Sequence, residues 1–312
     1  MKRSEVKKMK KKKWPWIVGI ISVLGLAIGG LALTVYFDLT STLKGMHQSI
    51  ERDVSEKREE KIDVSKLEPF SVLVLGVDER EGDKGRSDTM IVMAVNPKLN
   101  TTKMISIPRD TYTEIVGHGT DDKLNHAYAF GGIEMSMDSV EHLLDIPIDY
   151  VVEVNMEGFI KIVDEVGGIK VHNDLDFTQD SFHFKKGTIT LTGKEALSYV
   201  RMRKEDPNGD WGRQDRQRQV IQGVLDKGKS VNSLLNYRGV FNAIGDNIKT
   251  NMTFDEMVDV QKNYRNAADK VEQLHFEQGT GKRMNGGIWY YMMDDEELKT
   301  ITGELKQHLE IN

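Results

Sequence analysis

The sequence predicts an α/β protein, a three-layer α/β/α sandwich with a central mixed sheet, preceded by one N-terminal transmembrane helix. Two patterns predict this architecture: an uncharged run from Trp14 to Phe37, and alternating strand and helix signals from Leu67 onward. The 312 residues are 38% hydrophobic, which is enough to build a core, and they include no cysteine. Disulfide frameworks, cysteine-ligated zinc and thiol nucleophiles are therefore excluded.

The first 37 residues predict a cytoplasmic basic tail (1–13) and a transmembrane anchor (14–37). The tail holds eight Lys or Arg against one Glu, and the 24 uncharged residues that follow would span about 36 Å as a helix. That length crosses a hydrocarbon core of about 30 Å, and the basic flank favours a cytoplasmic N-terminus. A cleaved signal peptide is the alternative, but the apolar run exceeds its usual length of about 7 to 15 residues.

Residues 38–66 predict a charged stalk, because nine of the eleven residues from Glu51 to Lys61 are charged and no apolar stripe would attach them to a core. The folded domain is then 67–312. Residues 38–312 carry 35 basic and 48 acidic side chains, a net charge of −13. This charge argues against a partner bound through phosphate neutralisation, so no nucleic acid is expected.

Within the domain, short apolar runs predict strands, and longer periodic runs predict helices. Gly167-Gly168 predicts a helix C-terminus, while Thr192 to Glu195 and Thr253 to Glu256 fit the capping-box pattern that begins a helix. The predicted strands are Phe70–Val77, Thr89–Val95, Thr102–Ile107 and Tyr150–Val154. The predicted helices are Ile133–Leu144, Met156–Val166, Thr192–Arg201, Gly212–Lys227, Val231–Ile248, Thr253–Ala267 and Asp294–Leu309.

Two aspartates lie at neighbouring strand ends: Asp78 follows the first predicted strand and Asp88 precedes the second. Strand ends of an α/β sheet form one crevice, which is a usual ligand position. Two close carboxylates repel unless a cation lies between them, and oxygen ligands suit Mg²⁺ or Mn²⁺. The alternative is that both aspartates only cap turns.

A cluster of arginines follows residue 200, and helical geometry turns part of it inward. At 100° per residue, Arg213 and Gln217 fall within about 40° of the apolar Val220 and Val224. An inward guanidinium needs an anionic partner, and its fork matches phosphate oxygens. Together with the strand-end arginines, these charges favour a bound dianion such as pyrophosphate over internal salt bridges, which remain the alternative.

Seven motifs in order carry a resemblance to a known family: GVDER, RSDTM, IPRDTY, KLNHAYAFGG, VDEVGGIKV, LTGKEALSYVRMR and GDWGRQDRQRQV. Over residues 70 to about 225 the chain resembles the LytR-CpsA-Psr family. The resemblance implies an extracytoplasmic α/β/α catalytic domain anchored in the cell membrane of a Gram-positive bacterium. It implies transfer of an anionic glycopolymer, such as wall teichoic acid, from a polyprenyl-pyrophosphate carrier to a muramic-acid hydroxyl of peptidoglycan.

The resemblance also implies roles for individual residues. The metal ligands for Mg²⁺ or Mn²⁺ fall on Asp78 and Asp88, and the proposed base falls on Asp210. Arg80, Lys123 and Asn125 lie in the motifs without an assigned role. The pyrophosphate-binding residues fall on Arg86, Arg109, Arg201, Arg203, Arg213 and Gln217.

Several functions remain alternatives to transfer, and others are disfavoured. The histidines lack zinc-ligand spacing and no G-x-S-x-G motif occurs, which disfavours a zinc hydrolase and a serine hydrolase. A polyprenyl-pyrophosphate phosphatase differs from the transferase only in using water as acceptor. A non-catalytic, membrane-tethered glycan-binding protein would hold polymer phosphates without chemistry. The apolar strands also suit either a prenyl tunnel or an ordinary core, and both stay open.

Overall fold

The computed structural model describes residues 54–78, 85–228, 247–284 and 286–311. The predicted tail and anchor lie outside these ranges. No helix within them is long and apolar enough to cross a membrane.

A six-stranded mixed sheet forms the centre of the domain. The strands of the described residues are β1 Phe70–Val77, β2 Ser87–Asn96, β3 Thr101–Ser106, β4 Tyr112–Ile115, β5 Thr120–Lys123, β6 Tyr150–Asn155, β7 Ile169–Asn173, β8 Phe177–Gln179, β9 Phe182–Phe184, β10 Gly187–Leu191, β11 Ile248–Thr250, β12 Val271–Leu274, β13 Thr280–Met284 and β14 Ile288–Met292. The central sheet has the strand order β11-β6-β1-β2-β3-β12. The pairs β1–β6 and β3–β12 are parallel, and the other neighbours are antiparallel.

Helices cover both faces of this sheet. They are α1 His126–Leu144, α2 Met156–Glu165, α3 Gly193–Arg201, α4 Asp210–Gly228, α5 Phe254–Asn263 and α6 Asp295–Leu309, with 3-10 turns at Val64–Lys66 and Arg265–Ala268. Buried side chains of α1 and α6 form one core with β1, β2 and β3. Side chains of α4 and α5 join a second core on the opposite face. The predicted α/β class with a mixed sheet is therefore confirmed.

Most predicted elements appear at their predicted positions. β1 has the predicted bounds, and both predicted capping boxes form, at Thr192 with Glu195 and at Thr253 with Glu256. The glycine pair ends α2 through left-handed φ values of 78° and 75°, which a side chain would disfavour. The predicted helix Val231–Ile248 lies mostly outside the described residues, and its last residue begins β11.

The described part of the predicted stalk, residues 54–66, packs on the domain. Ile62 and Val64 are buried in the core that includes α5. The Arg58 guanidinium pairs with the buried Asp149 carboxylate, with Nε 2.6 Å from Oδ1. The prediction that the stalk has no core contacts is therefore wrong for these residues. Ile62 and Val64, which follow the charged run, are enough to attach the segment.

Tyr264 provides a test of this attachment. Its hydroxyl oxygen lies 3.1 Å from the Val64 carbonyl oxygen and 2.8 Å from the Glu68 carbonyl oxygen, and the two share its single proton. The substitution Tyr264→Phe removes the donor from both carbonyls, and we expect the free energy of unfolding to fall by about 1–3 kcal/mol. Urea unfolding measures this change. In the matched control, Tyr112→Phe, the lost hydroxyl is exposed and 3.5 Å from Asp121; equal losses in both variants would contradict the packing described here.

Candidate active site

A cavity of about 900 Å³ opens between the sheet and the helices α2, α3 and α4. Residues of β1 and β6 line one wall, and α4 supplies the opposite wall. Its apolar lining is Val72, Val74, Leu75, Val77, Met93, Val152, Val154, Met156, Phe159, Ile162, Val163, Leu197, Val200, Val220, Ile221, Val224 and Leu225. These strand residues thus line a hollow as well as a core, which favours the tunnel over the ordinary core for this part of the sheet.

Most of the predicted polar residues meet at one end of this cavity, which we call the mouth. The structure brings together Asp78, Asp88, Arg109, Arg201, Arg203, Arg213 and Gln217 as its lining. Arg86 does not line the cavity; its side chain is exposed, and its carbonyl accepts the Asp78 amide at 3.3 Å. Arg80 lies outside the described residues.

Arg109 follows β3 and is held by carboxylates on two sides. Its Nη1 lies 2.7 Å from Asp88 Oδ1, and its Nε lies 3.6 Å from Asp110 Oδ2. Lys123 Nζ lies 2.7 Å from Asp110 Oδ1. The backbone amide of Asn125 donates to the backbone carbonyl of Arg109 at 3.1 Å. The Lys123 side chain and the Asn125 backbone thus fix the segment that carries Arg109.

Opposing effects act on the pKa of Arg109. Burial alone would lower it, but the negative charges of Asp88 and Asp110, with a weaker contribution from Asp210, raise the pKa above its ordinary value. Arg109 therefore remains a cation at the edge of the mouth.

Arg213, on the first turn of α4, points into the protein as the helical pattern predicts. Only 7% of the residue is exposed. Its Nη2 lies 2.9 Å from Asp210 Oδ1, while its buried Nε has no hydrogen-bond partner among the described residues. Burial lowers the pKa of Arg213, and the positive charges of Arg109 and Arg203 lower it further. A buried guanidinium with a free donor and cationic neighbours favours a bound anion.

Gln217 lies one helical turn after Arg213 and is fixed by the sheet. Its Nε2 donates to Thr89 Oγ1 at 2.8 Å. Thr89 pairs with Gly76 of β1, where a Cβ atom would lie 2.9 Å from the Thr89 Cβ. The glycine of the GVDER motif therefore leaves the room that Thr89 needs to hold Gln217.

Arg201 and Arg203 lie where α3 ends and are more exposed. Arg201 is the last residue of α3, and its guanidinium contacts the Met156 sulfur. Arg203 Nη1 lies 3.7 Å from Asp210 Oδ1. Asp210 thus lies beside Arg203 and Arg213, which line the mouth, but it does not itself line the cavity.

Sequence reasoning gave no role to a buried ion pair that holds this region together. Arg216 Nη1 lies 2.5 Å from Asp206 Oδ2, and Arg216 also donates to the carbonyls of Tyr199 and Met202. A Cβ atom on Gly212 would lie 1.9 Å from Asp206 Oδ2, so only glycine fits there. The available signal in the sequence was Asp206, an acidic residue shortly before the arginine-rich run that includes Arg216.

The carboxylates at the mouth suit a cation that also binds a phosphate. The pairing of β1 with β2 brings the segments of Asp78 and Asp88 together, and both side chains line the mouth. No group of three or more His, Cys, Asp or Glu that could hold a metal occurs in the described ranges. Mg²⁺ commonly takes one or two carboxylates and completes its shell with substrate phosphates and water. Two aspartates therefore fit such an ion together with a pyrophosphate.

Comparisons with known proteins give consistent matches. The LytR_cpsA_psr family model matches residues 33–307. The chain is 53% identical over 308 residues to the polyisoprenyl-teichoic acid–peptidoglycan teichoic acid transferase TagU of Bacillus subtilis (strain 168), covering 99% of each chain. The crystal structure of B. subtilis TagU matches with a TM-score of 0.64 at 52% identity, covering 78% of this chain and 98% of that chain. An Enterococcus faecalis protein described as a transcriptional regulator matches with a TM-score of 0.74 at 40% identity, covering 81% of this chain and 92% of that chain.

The buried ion pair beneath the mouth yields a stability prediction. Asp206→Asn leaves the Arg216 charge buried without its counter-ion, and we expect the free energy of unfolding to fall by about 3–5 kcal/mol. Chemical denaturation measures the loss. The control Glu296→Gln breaks an exposed pair with Lys299 and should leave stability nearly unchanged. A loss at Asp206 no larger than in the control would show that the pair does not hold the mouth.

Proposed function

The chain belongs to the LytR-CpsA-Psr family, and we propose that it is a membrane-anchored transferase of cell-wall glycopolymers. Its donor is an anionic glycopolymer, wall teichoic acid, on a polyprenyl-pyrophosphate carrier. Its acceptor is the muramic-acid hydroxyl of peptidoglycan. The observation that carries the proposal is the junction of an apolar cavity with a cationic mouth, which matches a ligand with a prenyl chain and a pyrophosphate head.

The proposed reaction moves a phosphoryl-linked polymer between two oxygens. The acceptor hydroxyl oxygen forms a bond to the phosphorus that carries the polymer, and the bond from that phosphorus to the bridging oxygen breaks. Prenyl phosphate leaves, and the hydroxyl proton passes to a carboxylate, for which Asp210 is our candidate. Arg109 and Arg213 bind the phosphoryl oxygens and stabilise the negative charge that develops on them.

A divalent cation completes this proposal. Asp78 and Asp88 would hold Mg²⁺, or Mn²⁺ in its place, and the bound ion would supply charge neutralisation at the pyrophosphate. Asp88 Oδ1 accepts a hydrogen bond from Arg109. A cation held by Asp88 would compete with Arg109 for this carboxylate and would favour the release of Arg109 to the phosphate.

The proposed topology places the N-terminus in the cytoplasm and residues 38–312 outside, where peptidoglycan lies. The net charge of −13 on that part disfavours DNA binding, which a description as a transcriptional regulator would suggest.

For the arginines, we expect Arg213→Lys to lower kcat/KM by on the order of 100-fold, because an ammonium keeps the charge but loses the bidentate fork. The assay follows labelled polymer from a prenyl-pyrophosphate donor into peptidoglycan. Arg265→Lys is the control, since Arg265 is exposed on the 3-10 turn after α5. Equal effects at both positions would contradict the role of Arg213. Release of free polymer instead of transfer would refute the transferase mechanism.

For the metal, Asp88→Asn should raise the Mg²⁺ concentration for half-maximal activity at least about tenfold, because an amide is a weaker ligand than a carboxylate. Electron paramagnetic resonance of Mn²⁺ should show the same loss of binding without any turnover. The exposed Asp255→Asn is the matched control. Unchanged Mn²⁺ binding in Asp88→Asn, with a lowered melting temperature, would instead favour a turn-capping role for the carboxylate.

For the topology, external protease added to intact protoplasts should remove residues 38–312 and leave a short membrane fragment. A cytoplasmic protein of the same cells serves as the control for intact membranes. Full protection of the large domain in intact protoplasts, with digestion after lysis, would place it inside.

A further inference from the structure

The hairpin of β13 and β14 presents apolar side chains that the transfer site does not use. Ile288 is 47% exposed and Trp289 is 41% exposed, although large apolar side chains are usually buried. They follow a turn in which Gly286 and Gly287 have left-handed φ values of 80° and 102°, and the Gly287 amide donates to the Met284 carbonyl at 3.1 Å. The turn is therefore tight, and the two residues that follow it are apolar and exposed. We call residues 286–289 the tip of the hairpin.

Two exposed cations flank this tip. Arg283 lies directly opposite Trp289 in the strand register, and Lys282 lies opposite Tyr290. Neighbouring residues of a strand point to opposite faces, so the hairpin carries one cation on each face. A cation on each face beside an apolar tip suits an anionic, partly apolar partner.

The base of the hairpin adjoins the mouth. The Tyr291 amide donates to the carbonyl of Asp110 at 2.8 Å, and Asp110 follows Arg109. The Tyr291 ring packs edge to face on Trp211, which follows Asp210, with the centroids 5.5 Å apart. At about 3.3 Å per residue, Ile288 lies about 10 Å along the strand from this base. The tip therefore lies about 10 Å, along the strand, from the segments that carry Arg109 and Asp210.

We propose that the tip of the β13–β14 hairpin is a membrane-docking element, which inserts Ile288 and Trp289 into a lipid surface and holds the mouth against it. Tryptophan favours the headgroup region, an isoleucine side chain gains from burial beside the acyl chains, and Lys and Arg bind anionic headgroups. The proposal rests on the proposed function in one respect: a prenyl donor must leave the membrane to enter the cavity. A glycan stacked on Trp289 would leave Ile288 and Lys282 without a role.

The absence of cysteine allows a direct test with the full chain in nanodiscs that contain phosphatidylglycerol. Ile288→Cys gives a unique site for an environment-sensitive fluorophore, and Val258→Cys, at an exposed valine of α5, gives a matched control. We expect the label at 288 to shift to the blue and to be quenched by brominated acyl chains, and the label at 258 to do neither. A label at 288 that stays in water, or that responds to soluble peptidoglycan fragments but not to lipid, would overturn the proposal.

A kinetic test separates docking from chemistry. Ile288→Asp should raise KM for a long-chain donor in vesicles by about tenfold or more, with kcat and the KM for a short-chain soluble donor unchanged. Val258→Asp should change none of these values, and Ile288→Leu should behave as the parent chain. Equal losses with both donors would overturn the proposal. If the parent chain transfers nothing, the proposed function fails, while the fluorescence result still decides whether the hairpin docks.

Discussion

The mouth of the cavity depends on one electrostatic constraint, the close approach of several guanidinium groups that repel one another. Burial lowers the pKa of Arg213, and the positive charges of Arg109 and Arg203 lower it further against the opposing charge of Asp210. Asp88 and Asp210 counter this repulsion through ion pairs with Arg109 and Arg213. A phosphate dianion carries the same charge as these two carboxylates, so the proposed donor could take their place at the guanidinium groups.

The surrounding structure holds these charges at the end of a hollow. The buried pair of Asp206 and Arg216 ties the segment after α3 to α4, and the Asn125 amide ties the segment after β3 to the start of α1. Between β1, β6 and α4 lies the cavity of about 900 Å³, whose walls are mostly apolar away from the mouth. A prenyl chain would make dispersion contacts with this apolar lining. The proposed ligand would therefore pack against the cavity walls as well as pair with the charges of the mouth.

Much of this arrangement follows from local sequence patterns, because those patterns act over a few residues. The position of β1 follows from its run of apolar, strand-forming residues, and the capping boxes follow from side-chain to backbone hydrogen bonds. The inward direction of Arg213 follows from helical spacing. The attachment of Ile62 and Val64 depends on contacts between residues that are distant in sequence. The pair of Asp206 with Arg216 spans only 10 residues, but it joins the segment after α3 to α4 and has no helix or strand periodicity to predict it. The choice between tunnel and core could not be predicted, since the same Val, Leu and Ile side chains suit both. The β13–β14 hairpin lacked a clear signal because its first strand, TGKRM, is mostly polar.

The central claim is that one crevice binds both parts of a prenyl-pyrophosphate donor. A crystal structure of the protein with a long-chain prenyl pyrophosphate tests it most directly. The account predicts pyrophosphate oxygens within hydrogen-bond distance of Arg109 and Arg213, and prenyl density along the wall formed by β1 and α4. A head group bound away from both arginines, or a prenyl chain on the outer surface with the cavity empty, would contradict it.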